Sequence, residues 1–300
     1  MIQKSIVALL VIFLIVFACN KKDNSVNQSL NKGELTILVD ETVLPIIDDQ
    51  KQVFESQYDA KLNLIGKSES EIVQLLSQNK YQVAVLSREL SLGESKFFQD
   101  KKIKPRINPF ANDAVAFVVN KKFKDSVLDL ASIVSFMQGK RKSSFSGLVF
   151  DNANSSTVRN LKELAKVTAL PKQNVFSFKN NNEVIAFVEK NDGMIGVVGV
   201  NWLSQPTIEM QTVVDNLKVL GVNFLTGGKY YKPSQDNIAG GLYPVTREIK
   251  LINYQASAGL GMGFAKFLRN DIGQRIILKS GLVPLIMPNR TIKIRKQINK

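Results

Sequence analysis

Short apolar runs alternate with amphipathic segments from residue 34 onward. Leu35–Asp40 is a β-branched run that predicts a buried strand, and Lys61–Gly66 and Gln82–Ser87 predict two more. Between these strands, Ile46–Gln57 and Glu69–Asn79 carry apolar residues on one helical face. The order strand, helix, strand, helix, strand predicts an open α/β sheet with crossover helices.

Further strand and helix patterns follow in the rest of the chain. The predicted strands are Ala114–Asn120, Leu148–Asp151, Met194–Val200 and Tyr243–Asn253, and the predicted helices are Leu128–Gln138, Val158–Lys166, Gly261–Leu268 and Ile272–Lys279. The chain is expected to pass between two lobes near Asn120 and again shortly before Tyr243. Lobe 1 then comprises residues 34–118 and 243–300, and lobe 2 comprises residues 119–242.

The N-terminus has the pattern of an export signal. Lys4 precedes an unbroken apolar stretch, Ile6–Phe17, which is too short to span a bilayer comfortably and suits the core of a signal peptide. The stretch ends just before Cys19, as in a bacterial lipobox, so residues 1–19 are expected to be a lipoprotein signal peptide with Cys19 as the lipidated residue. The polar residues 20–33 would form a flexible tether. An uncleaved anchor with an incidental cysteine is the alternative.

Composition narrows the possible functions. The 300-residue chain has no histidine, and Cys19 is its single cysteine, so the commonest general base and the usual nucleophile–histidine pairs are absent. We therefore expect no enzyme activity, no catalytic residues, no metal site and no cofactor. The formal net charge of +14 fits a solvated basic surface, an anionic ligand or an anionic lipid surface. No nucleic-acid-binding motif accompanies the charge, so we expect no nucleic-acid partner.

Hydroxyl and charged residues cluster where the predicted strands end. Ligands of open α/β sheets bind at this edge, and helix N-termini attract anions through unpaired N–H groups. The candidate ligand-binding residues are Glu41, Thr42, Ser87, Arg88, Asn154, Ser155, Ser156 and Thr157. Ordinary N-capping explains the Asn/Ser run equally well, and a surface ion pair would explain Arg88.

Several short motifs lie in a fixed order along the chain. They are Val39–Pro45 (VDETVLP), Leu86–Leu90 (LSREL), Asp113–Asn120, Asn154–Thr157 (NSST), Gly193–Gly199, Tyr243–Arg247 (YPVTR), Phe267-Leu268, Gly273–Ile277 and Gly281–Leu285. From about Leu35 to Leu285 this order resembles the phosphate-binding proteins of ABC transporters, the PstS-like branch of the type 2 periplasmic-binding fold.

The resemblance implies a two-lobed α/β protein of the type 2 periplasmic-binding-protein-like fold, each lobe an open mixed sheet flanked by helices. It also implies capture of phosphate or a related oxyanion between the lobes and delivery to an ABC transporter permease. The protein would be a monomer in the cell envelope, lipid-anchored on the periplasmic or extracytoplasmic face of the membrane. The alternatives are a scaffold for another small anion, such as an organic acid, and a surface or signalling lipoprotein without a transport role.

Acidic residues depart from the family pattern. Asp40 and Glu41 stand where the family has serines, and Asp151 stands where many members have an anion-pairing arginine. Carboxylates repel phosphate unless they accept its proton. Arg88 is then the first candidate for the positive charge of the site, with Arg159 as the second.

Overall fold

The computed structural model describes residues 29–140 and 144–288. The predicted signal peptide, Cys19 and most of the predicted tether lie outside the described residues. The strands are β1 Lys32–Asp40, β2 Asp59–Lys67, β3 Val83–Leu86, β4 Arg106–Asn120, β5 Val127–Leu128, β6 Gly147–Phe150, β7 Val175–Ser177, β8 Met194–Gly199, β9 Leu217–Val219, β10 Gly221–Phe224, β11 Gly227–Tyr231, β12 Thr246–Asn253 and β13 Val283–Pro284.

Helices connect most of these strands. They are α1 Leu44–Gln57, α2 Glu69–Ser77, α3 Lys96–Asp100, α4 Leu130–Met137, α5 Ser156–Ala165, α6 Asn181–Lys190, α7 Asn201–Ser204, α8 Ile208–Asp215, α9 Gln235–Ala239, α10 Leu260–Arg269 and α11 Asp271–Lys279, with a 3₁₀ turn at Glu41–Val43. Local signals set several ends: Ser68 and Glu71 form a capping box at the start of α2, and Gly139 has a φ of +76° just after α4.

Lobe 1 is built on the strand order β2-β1-β3-β12-β4. Strand β1 pairs in parallel with β2 and β3, whereas β12 is antiparallel to both β3 and β4. The short strand β13 also pairs with β4. Because β1, β2 and β3 run in parallel, the loops that follow β1 and β3 lie at one edge of this sheet, which faces lobe 2.

The long strand β4 runs from one lobe into the other. Its first part pairs with β12 as far as Ala114, and from Val115 onward it pairs with β8 and then β9. In lobe 2 the order continues β4-β8-β6-β7, with β6 parallel to both of its neighbours. A separate three-stranded sheet has the order β11-β10-β5.

Each lobe has its own buried apolar core. In lobe 1, helices α1, α10 and α11 cover one face of the sheet, and α2 and α3 cover the other. In lobe 2, helices α4, α5 and α6 pack against β4, β6 and β8. Among residues 29–140 and 144–288, no helix is both long and apolar enough to cross a bilayer.

The structure confirms the predicted two-lobed α/β fold with an open mixed sheet in each lobe, but several bounds differ. Strand β4 begins at Arg106 rather than Ala114, because Arg106–Ala114 pair with β12. The sequence did not reveal this first part because its residues lack a continuous apolar pattern. Strand β4 changes its partner strand after Ala114. Strand β12 begins at Thr246 rather than Tyr243, since the Tyr243 N–H donates to the Asn237 carbonyl oxygen of α9 at 3.1 Å rather than to a neighbouring strand.

Candidate ligand-binding site

The loop after β1 holds a buried carboxyl group. Asp40 is 1% exposed, and its Oδ1 accepts hydrogen bonds from the Thr42 N–H and the Thr42 hydroxyl, both at 3.0 Å. Burial raises the pKa of Asp40 above its ordinary value. Its Oδ2 has no hydrogen-bond partner among the residues described by the structure. Asp40 therefore presents a free acceptor atom, or a proton, at the inter-lobe edge of lobe 1.

Arg247 lies between the two lobes and contacts both. Its guanidinium pairs with Asp113 on the neighbouring strand, with Nε–Oδ2 at 2.8 Å and Nη2–Oδ2 at 2.6 Å. Nη2 also donates to Thr42 Oγ1 at 3.1 Å, and Nη1 donates to Ser156 Oγ of lobe 2 at 2.6 Å. The two hydroxyls lie 3.2 Å from each other. One buried cation thus links a hydroxyl from each lobe.

The loop after β6 uses its hydroxyls internally. Ser155 and Thr157 each donate to Asp151 Oδ1 at 2.7 Å, and Ser155 Oγ accepts from the Val158 N–H as the N-cap of α5. The Asn181 side chain donates to Asp151 Oδ2 at 3.2 Å. Asp151 is 2% exposed, and a buried carboxyl group needs hydrogen-bond donors. All three of these donors come from its own lobe. Ser155 and Thr157, two of the predicted ligand-binding residues, thus donate their hydroxyl hydrogen bonds to Asp151.

A second inter-lobe group of charges centres on Glu69, the first residue of α2. Its Oε1 accepts from Arg88 Nε at 3.0 Å and from Arg159 Nε at 2.6 Å. Its Oε2 accepts from the Ser87 hydroxyl at 3.3 Å. Glu69, Ser87 and Arg88 belong to lobe 1, and Arg159 belongs to lobe 2. This group therefore joins the lobes by an ion pair.

Two further hydrogen bonds bring the lobes together. The Ser70 N–H donates to the Asn154 carbonyl oxygen at 3.3 Å, and Trp202 Nε1 donates to the Thr42 carbonyl oxygen at 2.9 Å. With Thr42 also touching Ser156, the lobes meet directly at this edge.

Family comparison agrees with this architecture. Residues 24–271 match the family described as the PBP superfamily domain. The chain belongs to this family. No curated protein matches the chain in sequence.

Solved structures resemble this PBP-family chain in fold. A putative phosphate ABC transporter substrate-binding protein of Clostridium perfringens with bound phosphate has 17% identity and a TM-score of 0.69, covering 85% of this chain and 100% of its own. An ABC-type phosphate transport receptor of Vibrio cholerae has 18% identity and a TM-score of 0.61, with coverage of 85% and 100%. PstS of Borrelia burgdorferi has 18% identity and a TM-score of 0.54, with coverage of 84% and 99%. At such identities the likeness shows the fold.

The predicted site residues fall into three groups in this PBP-family structure. Thr42 and Ser156 touch each other and Arg247, whereas Ser87 and Arg88 contact Glu69. Ser155 and Thr157 contact Asp151, and Asn154 contributes its backbone carbonyl oxygen rather than its exposed side chain. Glu41, the remaining predicted residue, is half-buried. Burial and the nearby Asp151 carboxyl group raise the pKa of the Glu41 carboxyl group.

Sequence reasoning left out three residues that belong to these groups. Arg247 and Asp113 both lie in motifs noted above, but nothing local indicates that they face each other from adjacent strands in the interior. Glu69 is the first residue of a predicted helix, and helical spacing does not indicate which residues of the other lobe its side chain contacts. Within the described part of the chain, no cluster of three or more potential metal ligands is present.

Proposed function

We propose that this protein is a substrate-binding lipoprotein that captures inorganic phosphate, or a similar oxyanion, between its lobes for delivery to an ABC transporter permease. The observation that carries the proposal is the Arg247 guanidinium, which is 5% exposed as a residue and donates to a hydroxyl from each lobe. An oxyanion between Thr42 and Ser156 would accept charge-assisted hydrogen bonds from Arg247 in place of those hydroxyls. The named neighbours that bind or transport phosphate support this choice of anion.

The free carboxylate oxygens favour an anion that carries its own proton. Asp40 Oδ2 and Asp113 Oδ1 are buried and lack partners within residues 29–140 and 144–288. A ligand hydroxyl can donate to such an oxygen, which removes the cost of an unpaired buried acceptor. Hydrogen phosphate carries this hydroxyl at neutral pH, whereas sulfate does not. Sulfate would therefore need a protonated Asp40, and its binding should strengthen as pH falls.

Binding from both lobes gives the ligand a way to change the shape of the protein. The ligand contacts proposed here come from Thr42 in lobe 1, Ser156 in lobe 2 and Arg247 near the crossing. An anion held by all three binds the closed form better than the open form, and only this difference can shift the equilibrium. The permease would then distinguish loaded from empty protein by the closed shape. We place the protein at the extracytoplasmic face as a monomer, anchored through Cys19.

Calorimetric titration of the purified protein with phosphate, arsenate and sulfate at pH 7.5 tests the proposal. Phosphate and arsenate should bind, and sulfate should bind much more weakly. Ser156→Ala should weaken phosphate binding by about twofold to tenfold, since one net hydrogen bond contributes about 0.5–1.5 kcal/mol. Ser132→Ala is the matched control, because the Ser132 hydroxyl donates only locally, to the Asp129 carbonyl oxygen at 2.6 Å. Absence of binding heat with both phosphate and arsenate would contradict the proposal.

A further inference from the structure

Glu69 is held by the groups that would otherwise be available to a bound anion. Its side chain is 3% exposed, and two guanidinium groups and one hydroxyl donate to its two oxygens. Arg159 also donates to the Ser87 hydroxyl through Nη2 at 3.0 Å, which closes the ring of contacts around the carboxylate. Two guanidinium groups and a serine hydroxyl are the donors expected around an oxyanion.

We propose that Glu69 is a resident anion: its carboxylate occupies a subsite formed by Ser87, Arg88 and Arg159 and contributes an ion pair between the lobes of the free protein. This inference rests on the proposed function, because it concerns what a captured oxyanion must displace. The anion captured at Thr42, Ser156 and Arg247 would also compete with Glu69 for Arg159 and Ser87, so Glu69 lowers the affinity of the protein for that anion.

The charges around Glu69 support a competitive role. Arg88 is also bound by Glu94, through Nη1 at 2.7 Å and Nη2 at 2.9 Å, and Arg159 is also bound by Glu163 at 2.7 Å. Two guanidinium groups are thus contacted by three carboxylates, Glu69, Glu94 and Glu163, giving a local excess of one negative charge. An external anion at this point meets no net positive charge while Glu69 is in place.

The same arrangement makes Glu69→Gln a usable variant. Each arginine keeps one carboxylate partner, Glu94 or Glu163, so the substitution leaves neither cation unpaired. Glutamine has nearly the same shape as glutamate but carries no charge, so the ion pair between the lobes is lost. The free protein should then open more readily, and Ser87 and Arg159 become available to an anion.

The chain contains a built-in probe of lobe contact. Trp202, the only tryptophan in the sequence, belongs to lobe 2 and donates from Nε1 to the Thr42 carbonyl oxygen of lobe 1. Separation of the lobes exposes this indole to water, so its fluorescence emission should move to longer wavelength. This readout needs no ligand and therefore reports on the Glu69 contact separately from anion binding.

The experiment compares wild-type protein, Glu69→Gln and Glu71→Gln by phosphate calorimetry and by Trp202 emission without ligand. Glu71→Gln is the matched control, because it removes the same charge from the same helical turn while Glu71 contacts Ser68 and Lys67 rather than an arginine. We expect Glu69→Gln to bind phosphate roughly tenfold more tightly or better, as for removal of a nearby like charge, and to show red-shifted emission. Glu71→Gln should change affinity by less than about threefold.

The outcomes separate the two proposals. Unchanged or weaker phosphate affinity of Glu69→Gln, with wild-type emission, would overturn the resident-anion inference while wild-type binding still upholds the proposed function. Red-shifted emission in Glu69→Gln without phosphate binding by any of the three proteins would uphold the inter-lobe contact and refute phosphate as the ligand.

Discussion

Replacing Arg247 with methionine should leave Asp113 buried, charged and without its partner. The side chains of Arg247 and Asp113 are 2% and 0% exposed, and Nη2 and Oδ2 lie 2.6 Å apart. Removing one member of such a pair costs about 3–5 kcal/mol, because the remaining charge has no compensation in the interior. Thr42 and Ser156 also lose a charged donor, but they remain 3.2 Å from each other and keep a mutual hydrogen bond. We therefore expect a loss of about 3–6 kcal/mol in the free energy of unfolding.

The double variant Arg247→Met/Asp113→Leu separates the structural role of the pair from its role in binding. A well-packed apolar pair often replaces a buried ion pair at little net cost, so the double variant should lie within about 2 kcal/mol of wild type. Phosphate binding should be lost in both variants, because neither retains the guanidinium. Urea unfolding and calorimetry at one pH measure the two quantities.

Two results would refute this reasoning. A loss of less than about 1 kcal/mol in Arg247→Met would show that the pair contributes as little as an exposed one. Phosphate binding of near wild-type strength in the double variant would remove Arg247 from the ligand contacts. Arg275→Met is the control, since Arg275 pairs with Asp271 on the surface, with the two side chains 49% and 48% exposed, and should change stability by less than about 1 kcal/mol.

Three other perturbations test separate parts of the molecule. Because burial raises the pKa of Asp40, the folded protein holds this proton more tightly than the unfolded chain does, so its contribution to stability falls as pH rises above about 4. Asp40→Asn should flatten this part of the pH profile in urea unfolding and reduce the preference for phosphate over sulfate; an unchanged profile would contradict the assignment. Ser155→Ala should lower the free energy of unfolding by about 0.5–2 kcal/mol through loss of the α5 N-cap, and a change near zero would show that Ser155 contributes no cap. Cys19→Ser should yield an unlipidated, uncleaved precursor by mass spectrometry, whereas a wild-type protein beginning elsewhere than a modified Cys19 would exclude lipidation there.

Local patterns in the sequence predicted much of the fold. Apolar alternation and helical spacing depend on neighbours within a few residues, so Leu35–Asp40 and Ile46–Gln57 were recognisable as a strand and a helix without the tertiary structure. The same reasoning missed α6 at Asn181–Lys190, although Val184, Ile185 and Val188 lie on one helical face and Asn180 caps its N-terminus. It also missed the strands between Leu217 and Tyr231, which have only 3, 4 and 5 residues and give no clear alternating pattern.

For the candidate site, local sequence patterns predicted less and the tertiary structure decided more. The sequence indicated which loops meet at the inter-lobe edge, because parallel strands place their carboxyl ends together. It could not indicate which carboxylate takes which arginine, since Arg247 and Asp113 are 134 positions apart and Arg159 and Glu69 are 90 apart. Buried charges pair with whatever complementary group the folded backbone brings within hydrogen-bond distance, and no local pattern encodes that distance. The chain by itself therefore indicated the family, the two-lobed fold and some of the polar residues where the lobes meet. The tertiary structure alone decided that Arg247 lies between Thr42 and Ser156 and that Glu69 takes the donors of Ser87, Arg88 and Arg159.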